Sequence, residues 1–262
     1  MIGITTGVGY PVPFEFRYPL LKQAGFDSVI LAWGNNEVGT RVDRVWLAKA
    51  FDIKIEHAHA TTEDLNTLWL PGTDGNRTCN RLLHELDDCG EFGIKTLVLH
   101  TSNGNTPPPV STDGINRFAH LVRLAENTSV KLAFENVRSA PHLQAVLDYF
   151  NSPNVGLCYD AGHANIWAKE TDWLSMYGDR LFAVHLHDNN GTADTHLQPF
   201  SGTVNWNKVA AGIAASSYTG NITVEVSFPG DALHQPDALT AHLKTAAENA
   251  KKLESMISSE KR

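Results

Sequence analysis

Cysteine, methionine and charge of either sign are scarce in this chain of 262 residues. Three cysteines are too few for a disulfide scaffold. Cys79 and Cys89 fall in one helical pattern, about 15 Å apart at helical rise and too far to bridge. No apolar run approaches the roughly 18 residues of a spanning helix, so no membrane segment is expected. The opening MIGITTGVGY has neither a basic region nor a long apolar core, does not read as a signal peptide, and sets a cytoplasmic location as the expectation. Basic residues are outnumbered, 21 Lys and Arg against 29 Asp and Glu, for a net charge of −8. That balance disfavours a nucleic-acid partner, whose recognition ordinarily needs a basic stripe. A glycine-rich phosphate loop is missing as well. Thr6-Gly7-Val8-Gly9-Tyr10 runs into Pro11 and Pro13 rather than into a helix, which speaks against a doubly wound dinucleotide fold.

What the chain has is apolar mass and histidine. Hydrophobic residues make up 42% and charged ones 19%, enough to bury a large core. Short runs of Val, Ile and Leu alternate with segments of helical period, the signature of βαβ units. The candidate strands are Ile2–Thr6, Ser28–Trp33, Ile53–His59, Lys95–His100, Lys131–Glu135, Gly156–Asp160, Phe182–His187 and Ile222–Ser227. In the last helical segment Leu239, Leu243, Ala246, Ala250, Leu253 and Ile257 form one apolar stripe. Gly93 reads as a helix stop and Pro141 as a first-turn proline. Eight such units predict a single-domain (β/α)₈ TIM barrel over 1–262.

Six consecutive strands, the third to the eighth, end in a group able to bind metal or move a proton. The segments are Glu56-His57-Ala58-His59, Leu99-His100, Glu135-Asn136, Asp160-Ala161-Gly162-His163, His185-Leu186-His187-Asp188 and Val224-Glu225. Side chains alternate along a strand, so His100 shares a face with Val98, Glu135 with Ala133, and Asp160 with Cys158. Pointed inward, these groups converge on the C-terminal mouth, where sites of this fold gather. Carboxylates packed there are most simply neutralised by a divalent metal. Mixed imidazole and carboxylate ligands suit Zn, Mn, Fe or Co, in one to three ions.

These motifs resemble the xylose isomerase-like barrels, a group that includes sugar isomerases, ketose 3-epimerases and the endonuclease IV family. The resemblance implies a core metal held by Glu135, Asp160, His185 or His187, and Glu225. It implies outer ligands as well: His100 with His57 or His59 on one side, and His163 with Asp194 and His196 on the other. For an isomerase or epimerase it assigns Glu135 and Glu225 as the catalytic proton-transfer pair, with His163 and His187 on substrate hydroxyls. For an enzyme like endonuclease IV it implies a zinc phosphodiesterase acting on abasic DNA. Where ketose 3-epimerases carry a substrate-binding Glu and Arg, this chain has Pro141 and Ala193, which counts against free ketoses of that kind.

Arg138, three residues past Glu135, is a candidate for a substrate phosphate or carboxylate, and equally a surface residue capping a helix. Trp33 reads either as a wall for a sugar ring or as core. Leu65 to Gly72 looks like an exposed apolar cluster within a 61–75 loop. It would serve as a lid, as a wedge, or as packing against a neighbouring loop or a second subunit of a homo-oligomer. The expected partner is a small-molecule sugar or sugar phosphate. A lyase or dehydratase on the same scaffold and a non-catalytic binding barrel are the remaining alternatives.

Overall fold

The computed structural model describes residues 1–7, 12–34, 40–229 and 236–261. Eight strands are observed: β1 (Ile2–Thr5), β2 (Ser28–Ala32), β3 (Lys54–His59), β4 (Thr96–Leu99), β5 (Lys131–Glu135), β6 (Val155–Asp160), β7 (Leu181–His185) and β8 (Ile222–Val224). They pair in parallel in the order β7-β6-β5-β4-β3-β2-β1-β8. A parallel bridge between Leu186 and Val224 closes the ring. Its bonds run from Leu186 N–H to the Thr223 carbonyl at 3.0 Å and from Glu225 N–H to the Leu186 carbonyl at 3.3 Å.

Nine α-helices are assigned among the described residues: α1 (Phe14–Ala24), α2 (Arg41–Ala50), α3 (Thr73–Phe92), α4 (Thr112–Thr128), α5 (Ala140–Tyr149), α6 (Ala161–Trp167), α7 (Trp173–Tyr177), α8 (Trp206–Ala215) and α9 (Pro236–Glu260). The expected (β/α)₈ barrel is therefore the fold. Strands match expectation within a residue or two, except that the last two pairings stop at His185 and Val224. Beyond the closing bonds at Leu186 and Glu225 the backbone turns to support loops. Gly93 closes α3 in the left-handed conformation, φ 75°, and Pro141 sits in the first turn of α5. The α9 stripe from Leu239 to Ile257 is buried throughout.

Two cores result. A large one lies between sheet and helices. A small one fills the barrel interior with Val98, Ala133, Cys158 and Ala183, contributed by β4 to β7. Each stands two positions before a mouth residue: His100, Glu135, Asp160 and His185. The alternation predicted for His100, Glu135 and Asp160 thus places them on the inner face above an apolar floor, and His185 over Ala183 joins them. Burial pushes the Cys158 thiol up to about 12, so it acts as a small hydrophobe in that floor.

Two readings are resolved. Trp33 is core: fully buried, it donates its indole N–H to the Glu85 carbonyl at 2.9 Å and meets Phe92 edge-on. A residue so enclosed offers no wall to a sugar. The apolar cluster after β3 is not exposed either. Residues Leu65–Trp69 form a 3₁₀ turn that buries Leu65, Leu68 and Trp69, leaving Leu70 outside. Trp69 donates to the Thr101 carbonyl at 2.7 Å and packs on Phe118 and His142, so the segment is pinned rather than free to close. The loop after β4 runs from 100 to 111 before α4.

Candidate metal centre

Asp160 shows how local sequence builds the site. It ends β6 and caps α6 with no loop between, its Oδ1 accepting from the His163 backbone N–H at 2.6 Å. Strand end and helix start therefore aim Asp160 and His163 at the same space. Asn136 ties the next strand to it, accepting from Asp160 N–H at 2.7 Å and donating to the Asp160 carbonyl at 2.9 Å. Glycine does the remaining work at Gly162, where an added Cβ would stand 2.0 Å from His187 Cε1. Only the bare backbone lets His187 approach Asp160, with Nε2 to Oδ1 at 3.1 Å.

Glu135 is the hub. Its Oε2 lies 3.2 Å from His59 Nε2, 3.2 Å from His100 Nε2 and 3.3 Å from His185 Nδ1, and its Oε1 lies 3.0 Å from His163 Nδ1. Glu225 Oε1 stands 3.6 Å from the same His185 Nδ1. On the far side, Asp194 Oδ2 is 3.2 Å from His163 Nε2, and Asp194 Oδ1 is 3.4 Å from His196 Nε2. Among the described residues, four groups of convergent ligand atoms emerge: His59, Glu135 and His185; Asp160, His185 and Glu225; Glu135, Asp160 and His163; and His163, His187, Asp194 and His196.

Without an ion these groups balance one another. Burial opposes the charge on Glu135, but the imidazoles of His100 and His185 hold its carboxyl well below its ordinary range. Burial likewise opposes the charge on His163, yet Asp160 and Asp194 keep its imidazolium well above the usual range. His196, desolvated but bonded to Asp194, rises to about 9. His57 goes the other way: burial and the neighbouring His185 keep it neutral.

The residues fit a divalent metal. Ligand atoms about 2.0–2.2 Å from one ion stand roughly 3.0–3.5 Å from each other, the spacing seen around Glu135. Among the described residues, His163 Nδ1 and His185 Nδ1 are buried without a hydrogen-bond partner, which suits nitrogens that would ligate a metal. His59 and His196 are each turned by a backbone carbonyl: the Nδ1 of His59 donates to Ala60 O and that of His196 to Glu225 O, both at 2.9 Å. In each, Nε2 is left facing a carboxylate, the outer-shell orientation typical of metal-ligating histidine.

The fold carries these groups, and the family match covers most of it. Residues 19–253 match the family described as Xylose isomerase-like TIM barrel. The chain belongs to that family. An uncharacterized protein of Sinorhizobium fredii is 33% identical over 139 residues, 53% of this chain; the match spans only 43% of that relative's length. Among solved structures, D-psicose 3-epimerase with D-tagatose from Clostridium cellulolyticum superposes with a TM-score of 0.78 at 13% identity, covering 98% of this chain and 99% of that one. The IOLI protein with a binding zinc atom gives a TM-score of 0.70 at 17% identity, with 98% of each chain covered. These two likenesses concern the fold.

In this xylose isomerase-like barrel the strand-end motifs all meet at the mouth, and clusters able to hold a divalent metal lie there. No helix among the described residues is long and apolar enough to cross a membrane. Two alternatives left open by sequence are separated by position. His59 faces Glu135, whereas His57 lies beneath His185, their Nε2 atoms 2.9 Å apart. His185 faces both glutamates, whereas His187 joins the outer group and stacks on His196 at 3.8 Å.

Some residues escaped sequence reasoning. Buried Asp188 latches the loop that presents Asp194 and His196. Its Oδ1 accepts from the N–H groups of Asn189 and Val204 at 2.9 and 3.0 Å, and its Oδ2 from the Trp206 indole at 2.9 Å. Ser102 lies buried beside the site with its hydroxyl unpartnered. The available signal for Asp188 was its place in the His-Leu-His-Asp motif. Nothing in the sequence around Ser102 marked it.

Proposed function

We propose that this barrel is a divalent-metal-dependent sugar or sugar-phosphate isomerase or epimerase that moves a proton beside a metal-polarised carbonyl. The carrying observation is the placement of Glu135 and Glu225 at 3.3 and 3.6 Å from the one unpartnered nitrogen of His185. Both carboxylates thereby face the same imidazole nitrogen. A divalent ion there, zinc or manganese, supplies Lewis acidity toward a sugar carbonyl.

The chain's own groups divide the remaining work. Four imidazoles face Glu135. A carboxylate held so strongly ionised is a ligand first and a weak proton carrier second. Glu225 has one imidazole against it and is partly exposed toward the mouth, so it takes the proton from the carbon beside the carbonyl, and Glu135 completes the pair. His187 and His163 hold substrate hydroxyls where they are not engaged by Asp160 and Asp194.

Deuterium uptake from D₂O into the carbon-bound hydrogens of ribulose, tagatose and ribulose 5-phosphate, followed by NMR with zinc- or manganese-loaded protein, tests this. Uptake is expected with at least one sugar. Glu225→Gln should cut it by about 10²–10⁴-fold, the usual worth of a positioned proton carrier. No uptake with either metal would remove the reading.

A second reading is favoured by one observation: all nine groups of a three-metal set converge, His59, His100, Glu135, Asp160, His163, His185, Asp194, His196 and Glu225. Four carboxylates also exceed the charge of a single divalent ion. Such a centre would serve a phosphodiesterase, with clustered ions stabilising attacking and leaving oxygens. Incision of a duplex carrying a tetrahydrofuran abasic analogue, with near three zinc ions per chain by elemental analysis, would establish it.

A further inference from the structure

Beside the metal centre, on the His163 side, a recess of about 220 Å³ opens between the loops after β3, β4 and β5. Pockets for drug-sized ligands run about 300–1,000 Å³, so this one suits a small group rather than a second sugar ring. Its wall carries Ser102, Asn103, Arg138, Trp167, His163 and Asp194.

Three of these have features the metal centre does not explain. Arg138 is exposed, and among the described residues no carboxylate lies within ion-pair distance of it. Its guanidinium instead lies over the Trp167 ring, Cζ to centroid 4.3 Å. Trp167 in turn packs on His163, with centroids 4.8 Å apart. The cation is thus held flat at the edge of the site with its N–H fork unspent. In the same wall, Ser102 is buried to 1% exposure and its Oγ meets no partner among the described residues. An unpaired buried hydroxyl is costly unless a ligand satisfies it. Asp194, the one carboxylate in the wall, is already engaged by His163 and His196. Asn103 is locked by Asn66, which donates to its carbonyl and accepts from its N–H at 2.9 and 2.8 Å. The recess is therefore preformed.

We propose that this recess receives an anionic substituent of the substrate, a phosphate ester or a carboxylate, at the end remote from the metal-bound carbonyl. Arg138 clamps its charge and Ser102 Oγ donates to one of its oxygens. Trp167 fixes the plane of the guanidinium and is a positioning residue. The proposal rests on the sugar-directed reading above, whose substrate class it narrows to acidic sugars.

Calorimetric binding of ribulose 5-phosphate, tagaturonate and uncharged ribulose to the zinc-loaded protein tests it. At least one acidic sugar should bind about tenfold or more tighter than ribulose, as expected for charge-assisted hydrogen bonds. Preference for ribulose 5-phosphate identifies a phosphate subsite, and preference for tagaturonate a carboxylate subsite. Arg138→Met should bring the preferred sugar close to the affinity of ribulose. Ser102→Ala should weaken it by severalfold, and Arg138→Lys should recover part of the loss. Equal zinc content and melting temperature in the variants exclude misfolding as the cause. If neither acidic sugar binds tighter than ribulose, absence of binding included, the subsite is overturned, as it is by a preference that survives Arg138→Met. Deuterium uptake separates the two readings. A charge preference without uptake removes proton transfer and keeps the subsite, whereas uptake without preference removes the subsite alone.

Discussion

His57 Nε2 lies 2.9 Å from His185 Nε2, with the rings stacked at 25°. The contact occupies one nitrogen of His185 and leaves the other, Nδ1, facing Glu135 and Glu225. A neutral histidine below the site therefore determines which nitrogen His185 presents to the two glutamates. Such outer contacts ordinarily contribute 10–100-fold to metal affinity.

Replacing His57 should reveal that role. His57→Phe keeps a ring but removes the nitrogen, so zinc affinity, read by competition with a chromophoric chelator, should fall about 10–100-fold. His57→Gln, which retains a hydrogen-bonding group, should fall less. Affinity unchanged in both variants would mean that the contact is only packing.

Metal removal should cost stability. Glu135, Asp160, His163 and His185 are buried together, with like and unlike charges within a few ångströms of one another. An ion at a hundred times its Kd adds about 2.7 kcal/mol. In a domain of this size that corresponds to roughly 5–10 °C in Tm. Scanning calorimetry before and after chelation and zinc restoration measures the difference; coincident melting curves would contradict metal binding at these groups.

Gly162 offers a steric test that leaves every ligand type in place. Any side chain there would collide with the His187 ring. Gly162→Ala should destabilise by about 1–3 kcal/mol through overpacking. It should also move His187 off Asp160, visible as a shifted imidazole resonance in NMR spectra. A variant with wild-type Tm and wild-type spectra would show that the ring has room after all.

Acid sensitivity should have a component from His142, away from the centre. Its Nε2 donates to the Pro108 carbonyl at 2.7 Å and its Nδ1 accepts from Ser139 Oγ at 2.6 Å, a pairing that only the neutral ring can make. Burial lowers its pKa below the ordinary histidine value, partly offset by Pro108. A depressed folded-state pKa means stability present above about 6.5, the unfolded value, and lost as pH falls toward the folded one. His142→Gln should flatten the loss of Tm between pH 7 and 5 relative to wild type. An identical slope in the variant would assign the acid sensitivity elsewhere.

The strands, their order of motifs and the inward aim of the mouth residues were legible in the chain. They depend on a period of two and on punctuation by Gly and Pro, which are local properties. His100, Glu135 and Asp160 could be placed above Val98, Ala133 and Cys158 from alternation alone. Position along the barrel axis was not legible. His57 and His59 have the same parity, as do His185 and His187, so alternation aims all four inward. Two residues differ by about 6.6 Å in height. What decides between them is the register of neighbouring strands, including the irregularity that pairs Ile30 with His57 just after Val29 with Ile55. Burial of long-range partners is tertiary for the same reason. Trp33 found the Glu85 carbonyl 52 residues away, and Trp69 found Thr101 at a separation of 32. Ser102 and Arg138 share a recess only because the loops after β4 and β5 are adjacent in the closed ring. Sequence determined which groups stand at the mouth; packing across strands decided their depth and their partners, because both depend on contacts that no local pattern encodes.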